Sequence, residues 1–523
     1  MNEIWGSELR RILSNYARLL AGLLLGIWIT RLLLDGGEWL FSIYTLITVG
    51  MGISTLLTEL LILVVVPFLG ASVYNGQVIE IQRFCEDIFA AFAISIGFAL
   101  LGAAMMILLG WFAFGSLGTP DRVSAAWLFL VLRIVMMIVA VALTPAMAFF
   151  LVSGRQPEYN FFQFLVRLGE FLGIGIPLWL LDGEYYAETN LLVQFGAWVA
   201  LFTVITYVLA SIYAFRFGPL FDGGKVRPDV TAIIAMLKRS GWSALHILSN
   251  FLYVRADVLV VAAFLGSSEI LALGIAIRMM GYVQQTTNGL VAGLDATFAN
   301  LGGRRKPLKQ DDCTSNKNEQ KLLSLSTALQ GGVVFQLSLL LYLLREEIVS
   351  FWVGDFFEDA TNTAVIQEIS LLASLMIIGI GFRSLNFGWF SAMNGLGRAK
   401  HFTPWLLPGA IGNAIVLVAW GSFAPETFSV MAVGWVFLGF QLATHGFIIP
   451  VVSARSLGCQ VQTLITPLLV PFSIAVGTYL VAHGLCMVNA GGSNEFRVAV
   501  VVLTVSLGGM ANLFVILRRG ALG

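Results

Sequence analysis

Apolar runs that are each long enough to cross a bilayer dominate this chain. About fourteen of them follow one another, and a helix rising about 1.5 Å per residue needs roughly 20 such residues to span the hydrocarbon layer. They cover 11–34, 39–69, 87–114, 124–151, 160–181, 191–215, 240–265, 269–300, 321–344, 363–394, 403–424, 428–452, 463–488 and 496–517. Lipid offers the backbone no hydrogen-bonding partner, so segments of this kind must satisfy themselves as helices. The charged fraction is 11% and the mean hydropathy +0.87, against roughly 25% charged residues in an average soluble domain. The chain is therefore expected to be an all-α polytopic membrane protein. Arg10 and Arg11 precede a first run too long for a signal-peptide core, which reads as an uncleaved first helix.

Charge in the loops tests this count independently of hydropathy. One set of loops holds Arg10, Arg11, Arg83, Arg155, Arg216, Lys225, Arg227, Lys238, Arg239, Arg304, Arg305, Lys306, Lys309, Lys317, Lys321, Arg398, Lys400, Arg455, Arg518 and Arg519. The alternate set holds only Arg31, Arg122, Arg345 and Arg497. Basic residues stay on the cytoplasmic side, so both termini are expected there and the number of spans is even. The expected location is a bacterial cytoplasmic membrane. Cys85, Cys313, Cys459 and Cys486 form no CxxC spacing, so neither a disulfide framework nor a metal site is indicated.

Two stretches echo each other in register with this topology. Leu9-Arg10-Arg11 precedes span 1, whose outer turn is Asp35-Gly36-Gly37-Glu38; Leu237-Lys238-Arg239 precedes span 7, whose outer turn is Gly266-Ser267-Ser268-Glu269. Gly154-Arg155 and Gly397-Arg398 recur at the inner ends of spans 4 and 10. A six-span repeat of constant orientation predicts two pseudo-symmetric lobes with a site where they face each other. The expected divisions are an N-terminal lobe (1–215), a cytoplasmic linker (216–239), a C-terminal lobe (240–452) and an appended pair of spans (453–523).

Within this apolar frame sit five arginines, Arg133, Arg167, Arg255, Arg278 and Arg383. A mid-span arginine opposes insertion by about 2.5 to 3.5 kcal/mol, so the set costs roughly 12 to 18 kcal/mol unless it faces a wet or paired interior. Arg255 and Arg278 lie roughly 14 to 16 Å from the outer ends of spans 7 and 8, and Arg133 at similar depth in span 4; Arg167 and Arg383 lie roughly 12 to 16 Å from the inner ends of spans 5 and 10. Acids at comparable depth are Glu59, Glu170 and Asp257, and Arg18 lies nearer the cytoplasmic edge, within snorkelling reach. Arg167 and Glu170, at i and i+3, can neutralise each other, and Asp257 and Arg278 match in depth on two arms of a hairpin. Arg133, Arg255 and Arg383 have no sequence-local partner and are the stronger ligand candidates. A guanidinium stays charged and donates bidentate hydrogen bonds, which suits a diphosphate in a partly dry cavity. The three acids are the candidates for ion coupling.

Tyr253-Val254-Arg255-Ala256-Asp257-Val258-Leu259 with Phe264-Leu265-Gly266, then Leu273-Gly274-Ile275-Ala276-Ile277-Arg278, resemble the start of the second lobe in bacterial lipid-linked oligosaccharide flippases, the polysaccharide-exporter branch of the MOP superfamily. Met393-Asn394-Gly395-Leu396-Gly397-Arg398-Ala399-Lys400 and Ser14-Asn15-Tyr16 are similar to the same family. The resemblance covers most of the first twelve spans. It implies a V-shaped pair of six-helix lobes, alternating access, and export of a polyprenyl-diphosphate-linked glycan bound by cationic residues. Spans 13 and 14 resemble the arrangement of lipid II flippases, in which that pair helps form a groove for the lipid tail. The expected function is non-enzymatic transport with no cofactor or nucleic-acid partner; a polysaccharide polymerase and assembly proteins are candidate partners.

Other readings stay open. A cation-coupled drug antiporter of the same fold calls for a cavity dominated by acid. A membrane glycosyltransferase needs a catalytic loop, for which Asp355, Glu358 and Asp359 are the candidates, and a scaffold subunit needs neither. The topology has a direct check. In a cysteine-free background, a membrane-impermeant maleimide applied to whole cells should label cysteines at Asp182 and Glu358 and leave those at Lys225 and Lys309 unmodified; the reverse pattern inverts the orientation.

Overall fold

The computed structural model describes residues 2–522 apart from 72, 75–76, 79–80, 115–118, 154, 181–187, 218–229, 292–293, 295–297, 299–312, 354–361 and 489–493. Half of the expected interlobe linker (218–229), the larger part of the basic loop after span 8 and the acidic cluster Asp355, Glu358 and Asp359 lie outside the described residues, while residues 230–239 of that linker are helical and begin the seventh span. The described helices are α1 (Asn2–Asp35), α2 (Glu38–Thr45), α3 (Ile53–Ala71), α4 (Ile81–Ala113), α5 (Pro120–Ala142), α6 (Thr144–Val152), α7 (Gln156–Leu180), α8 (Glu188–Phe217), α9 (Val230–Phe264), α10 (Ser267–Val291), α11 (Cys313–Leu343), α12 (Arg345–Val353), α13 (Asn362–Ser384), α14 (Phe387–Gly395), α15 (Ala399–Phe423), α16 (Val430–Gln441), α17 (Ile449–Leu457), α18 (Val461–Val488) and α19 (Asn494–Leu522). The only strands among the described residues are Val73–Tyr74 and Gln77–Val78, paired antiparallel.

Thirteen of the expected spans appear as helices long and apolar enough to cross a membrane. The fourteenth is α10. Its 25 residues supply the length, but Arg278, Gln284, Gln285 and Asn288 dilute its apolar character. Four spans are broken in the middle. Span 4 breaks at Leu143 between α5 and α6, where Pro145 occupies the first turn of α6 and cannot donate into the helix before it. Span 10 breaks between α13 and α14. Spans 2 and 12 are interrupted by wide π-type turns, Leu46–Gly50 and Leu442–Ile448.

Packing divides the chain into two compact units, Met1–Leu271 and Ala272–Gly523, and the division falls inside α10. The first unit contains α1–α9. Here α7 packs on α1 and α8, and α5 on α4 and α8. The seventh span, α9, which the repeat places in the second lobe, packs in the first unit against α3, α4 and the Leu46–Gly50 turn. One end of this unit holds a buried cluster that includes Val65, Leu69, Phe84, Phe149, Phe150 and Phe162. Ser14 and Asn15 of the family-like Ser-Asn-Tyr stretch fix α1 to α7: the Asn160 amide donates to Asn15 Oδ1 at 2.7 Å and to Ser14 Oγ at 2.9 Å.

At the outer end, Gly37 adopts φ +118, and a Cβ there would collide with the carboxylate of Glu188. Glu188 in turn pairs with Arg122 at 3.3 Å, and the Arg122 guanidinium lies 5.3 Å from the Trp39 ring centre. One glycine thus lets the α1–α2 turn, α5 and α8 meet. The inner-end echo has a shared hydrogen-bond pattern. The Arg155 amide bonds the carbonyl of Phe150 at 2.8 Å and that of Arg398 the carbonyl of Met393 at 2.7 Å, each closing a helix over five residues.

In the second unit α11 packs on α18 and α19, and α13 on α16. Phe298, Phe390, Phe402 and Ile449 belong to its largest described core cluster. The appended pair is docked by polar residues on glycines. A Cβ at Gly508 of α19 would collide with Thr478 Oγ1 and come within 3.0 Å of the Gln336 amide, while one at Gly332 of α11 would touch Asn512 Cβ at 3.6 Å. Each amide lies over a glycine of the opposing helix, which lets the backbones approach. Gly509 faces open space. Gly508→Leu should therefore cost about 1 to 3 kcal/mol of overpacking, seen as earlier thermal unfolding in nanodiscs, while Gly509→Leu should leave the transition in place.

Candidate functional site

Span 2 sets the geometry of the first unit's polar centre. The π-type turn at Leu46–Gly50 widens the helix: Met51 N–H reaches back to Leu46 O at 2.9 Å and Gly52 N–H bonds Val49 O at 3.3 Å before α3 begins. Two glycines make the break tolerable. Gly50 lies under Val258 of α9, whose Cγ1 would be 3.1 Å from an added Cβ, and a Cβ on Gly52 would collide with Thr48 O.

Carbonyls in such a turn need donors, and Arg255 provides them. From α9 its Nη1 donates to Val49 O at 2.7 Å and to Thr48 O at 3.4 Å. Arg133 approaches from α5. Its Nη2 donates to Thr48 Oγ1 at 3.0 Å, and its guanidinium carbon lies 5.6 Å from the Tyr44 ring centre and 5.9 Å from that of Phe129. Tyr44 continues the network by donating its hydroxyl to Glu170 Oε1, and Glu170 Oε2 accepts from Arg167 Nη1 at 2.7 Å. The expected i, i+3 pair is present. The sequence did not single out Tyr44 or Thr48, which join that pair to Arg133 and Arg255.

Glu59 lies within electrostatic range of Arg255, and Arg18 within range of Arg167. Hydrogen bonds thus join Arg133, Arg255, Arg167 and Glu170 through Thr48, Val49 and Tyr44, with the charges of Glu59 and Arg18 farther out. Access to them is uneven. The Arg133 residue is 8% exposed, whereas the Arg167 side chain is 51% exposed and Glu59 is exposed as well. Arg255 and Thr48 are half-buried. A charge open at mid-span has to face water, because a lipid-facing one would oppose insertion. The remaining acid candidate, Asp257, is completely buried on α9.

The second unit holds Arg278 and Arg383. Arg278 is half-buried on α10. Arg383 closes the last turn of α13, is 1% exposed and stacks near Phe387 at 5.9 Å from its ring centre. The break that follows is stitched to the second π-type turn and to α11. Asn386 Nδ2 donates to the His445 carbonyl at 2.9 Å, the Gly388 amide to Gln330 Oε1 at 3.0 Å and the Trp389 indole to Thr327 Oγ1 at 2.9 Å. Asn386 thus serves as an interhelical bond. Among the described residues no group of three or more His, Cys, Asp or Glu is placed to hold a metal ion.

No family model and no curated protein matches the chain. Solved structures do. An inward closed conformation of the lipid II flippase MurJ is similar over 98% of this chain and 99% of its own, with a TM-score of 0.64 and 13% identity. An inward-facing multidrug resistance MATE family transporter of the MOP superfamily matches over 87% of this chain and 99% of its own, with a TM-score of 0.62 and 9% identity. A MOP superfamily transporter from Pyrococcus furiosus, whose binding pocket is described as reversed in polarity, matches over 86% of this chain and 96% of its own, with a TM-score of 0.61 and 10% identity. The chain has the fold of these transporters.

The network around Tyr44 predicts coupled losses. Tyr44→Phe leaves Glu170 with one fewer donor and should cost about 1 to 2 kcal/mol. Combined with Arg167→Ala it should cost more than the two single changes together. Unfolding midpoints of the four proteins measure this, and simple additivity would contradict the relay.

Proposed function

We propose that this protein is a non-enzymatic transporter that moves a polyprenyl-diphosphate-linked oligosaccharide from the inner to the outer leaflet of a bacterial cytoplasmic membrane, for cell-surface polysaccharide assembly. The observation that carries this reading is the cationic centre of the first unit, where Arg133, Arg167 and Arg255 gather at mid-span around Thr48, Tyr44 and Glu170. A lipid carrier's diphosphate is an anion that must leave water, and guanidinium groups retain charge and fork geometry in a partly dry cavity. Half-buried Arg255 and exposed Arg167 are the groups open to such a ligand, while Arg133 is fixed behind them by Thr48, Tyr44 and Phe129. Arg278 and Arg383 are the corresponding candidates on the second unit. The likeness in fold to a lipid II flippase supports this reading. Both termini lie in the cytoplasm, and a polymerase and assembly proteins are its natural partners.

A second reading rests on a different observation. Asp257 is buried without exposure in α9, and Glu59 is exposed at mid-depth in α3. Carboxylates so placed can take up a cation or proton, as a cation-coupled antiporter requires. The MATE transporter of similar fold belongs to a multidrug resistance family. In the lipid-flipping reading, Asp257, Glu59 and Glu170 couple transport to an ion gradient.

Replacing Arg255 or Arg167 by Ala removes a charge-assisted bond of about 1.5 to 3 kcal/mol, equivalent to roughly 10- to 150-fold in affinity. Export of lipid-linked glycan should fall accordingly, with membrane levels of the protein unchanged. Full export by Arg255→Ala would remove the arginine centre from the substrate site, and drug-stimulated proton or sodium flux in vesicles would favour the antiporter.

A further inference from the structure

The break in span 2 and the arginine centre share the same hydrogen bonds. Arg255 Nη1 serves both Thr48 O and Val49 O, and Arg133 Nη2 serves Thr48 Oγ1. From this sharing we infer that the Leu46–Gly52 segment is a ligand-responsive hinge: a diphosphate that recruits Arg255 takes away the donors that hold the break open, and the span rewinds into regular helix. The inference rests on the lipid-diphosphate reading of the same site.

Phosphate and carbonyl oxygens compete for the same guanidinium. A guanidinium bond to a carbonyl is already charge-assisted, but a phosphate adds a full negative charge and two acceptor oxygens that match the guanidinium fork. Once the guanidinium turns to the phosphate, the Thr48 carbonyl loses its Arg255 donor and Val49 O keeps only the 3.3 Å bond from Gly52 N–H, in a segment where irregular backbone is tolerated only if its polar groups are satisfied. The available donors are then the chain's own amides. A π-type turn recovers them by closing from i→i−5 to i→i−4 bonds, which straightens and extends the helix. The site has access for the exchange, since Thr48, Val49 and Arg255 are all half-buried.

Glycine placement makes the two states separable by mutation. In the broken state a Cβ at position 52 would collide with Thr48 O and lie 3.1 Å from Arg255 Nη1. A regular helix accepts alanine readily. Gly52→Ala therefore selects the rewound state without ligand. It also releases Arg255, so this variant should bind a diphosphate more tightly than the natural chain, because the competent state is populated in advance.

Hydrogen–deuterium exchange of the full chain in nanodiscs, with farnesyl diphosphate as the probe, reads the segment directly. Saturating farnesyl diphosphate should slow exchange of the Leu46–Ile53 amides by about tenfold or more. The slowing should vanish in Arg255→Gln and be present without ligand in Gly52→Ala. Calorimetry on the same samples separates the two levels of the argument. Binding to the natural chain with unchanged exchange would overturn the hinge and leave the transport reading standing; no binding at all would overturn both. The comparison of natural chain with and without ligand decides the matter even if Gly52→Ala fails to fold.

Discussion

A helix that breaks inside a membrane releases carbonyls, and lipid has nothing to offer them. In this protein the donor comes from another span: Arg255 of α9 reaches the carbonyls of Thr48 and Val49. That one interaction explains why α9 packs with the first unit, why Gly50 and Gly52 must be small, and why an arginine is present at a depth where charge is costly. Removing the carbonyls by making span 2 regular would leave Arg255 as the group in need of a partner. Break and charge stabilise each other, and neither is explained alone.

The same logic orders the rest of the centre. Arg133 is held by the Thr48 hydroxyl and two aromatic faces, Glu170 by Tyr44 and Arg167. A charged group fixed from several sides is pre-organised, so it does not have to be ordered when a ligand arrives. In the second unit a break in span 10 is also closed by side chains, but there the donors are the neutral amide and indole of Asn386 and Trp389. The two units thus secure their irregular spans with different chemistry, cationic in the first and neutral in the second.

Much of this was legible in the sequence because bilayer thickness acts on composition directly. Hydropathy and loop charge placed thirteen spans that the fold contains, and the i, i+3 spacing of Arg167 and Glu170 foretold their pairing. Span 8 was harder, since Arg278, Gln284 and Asn288 make α10 less apolar than its length requires. Tyr44 and Thr48 were not legible. A tyrosine and a threonine within an apolar run look like ordinary core, and a π-type turn leaves no periodicity to recognise. The packing of α9 with the first unit was hidden as well, because a repeat in sequence reports ancestry of segments and not the neighbours they choose.

The open guanidinium of Arg167 carries a consequence for the membrane itself. Water drawn to mid-depth by an exposed charge shortens the barrier that protons and metal cations must cross. Fixed positive charge along that path raises the electrostatic cost for those same ions, as it does in water-conducting pores. The positive charge of Arg133 and Arg255 beside Arg167 thus opposes entry of cations along the same path that its exposure hydrates.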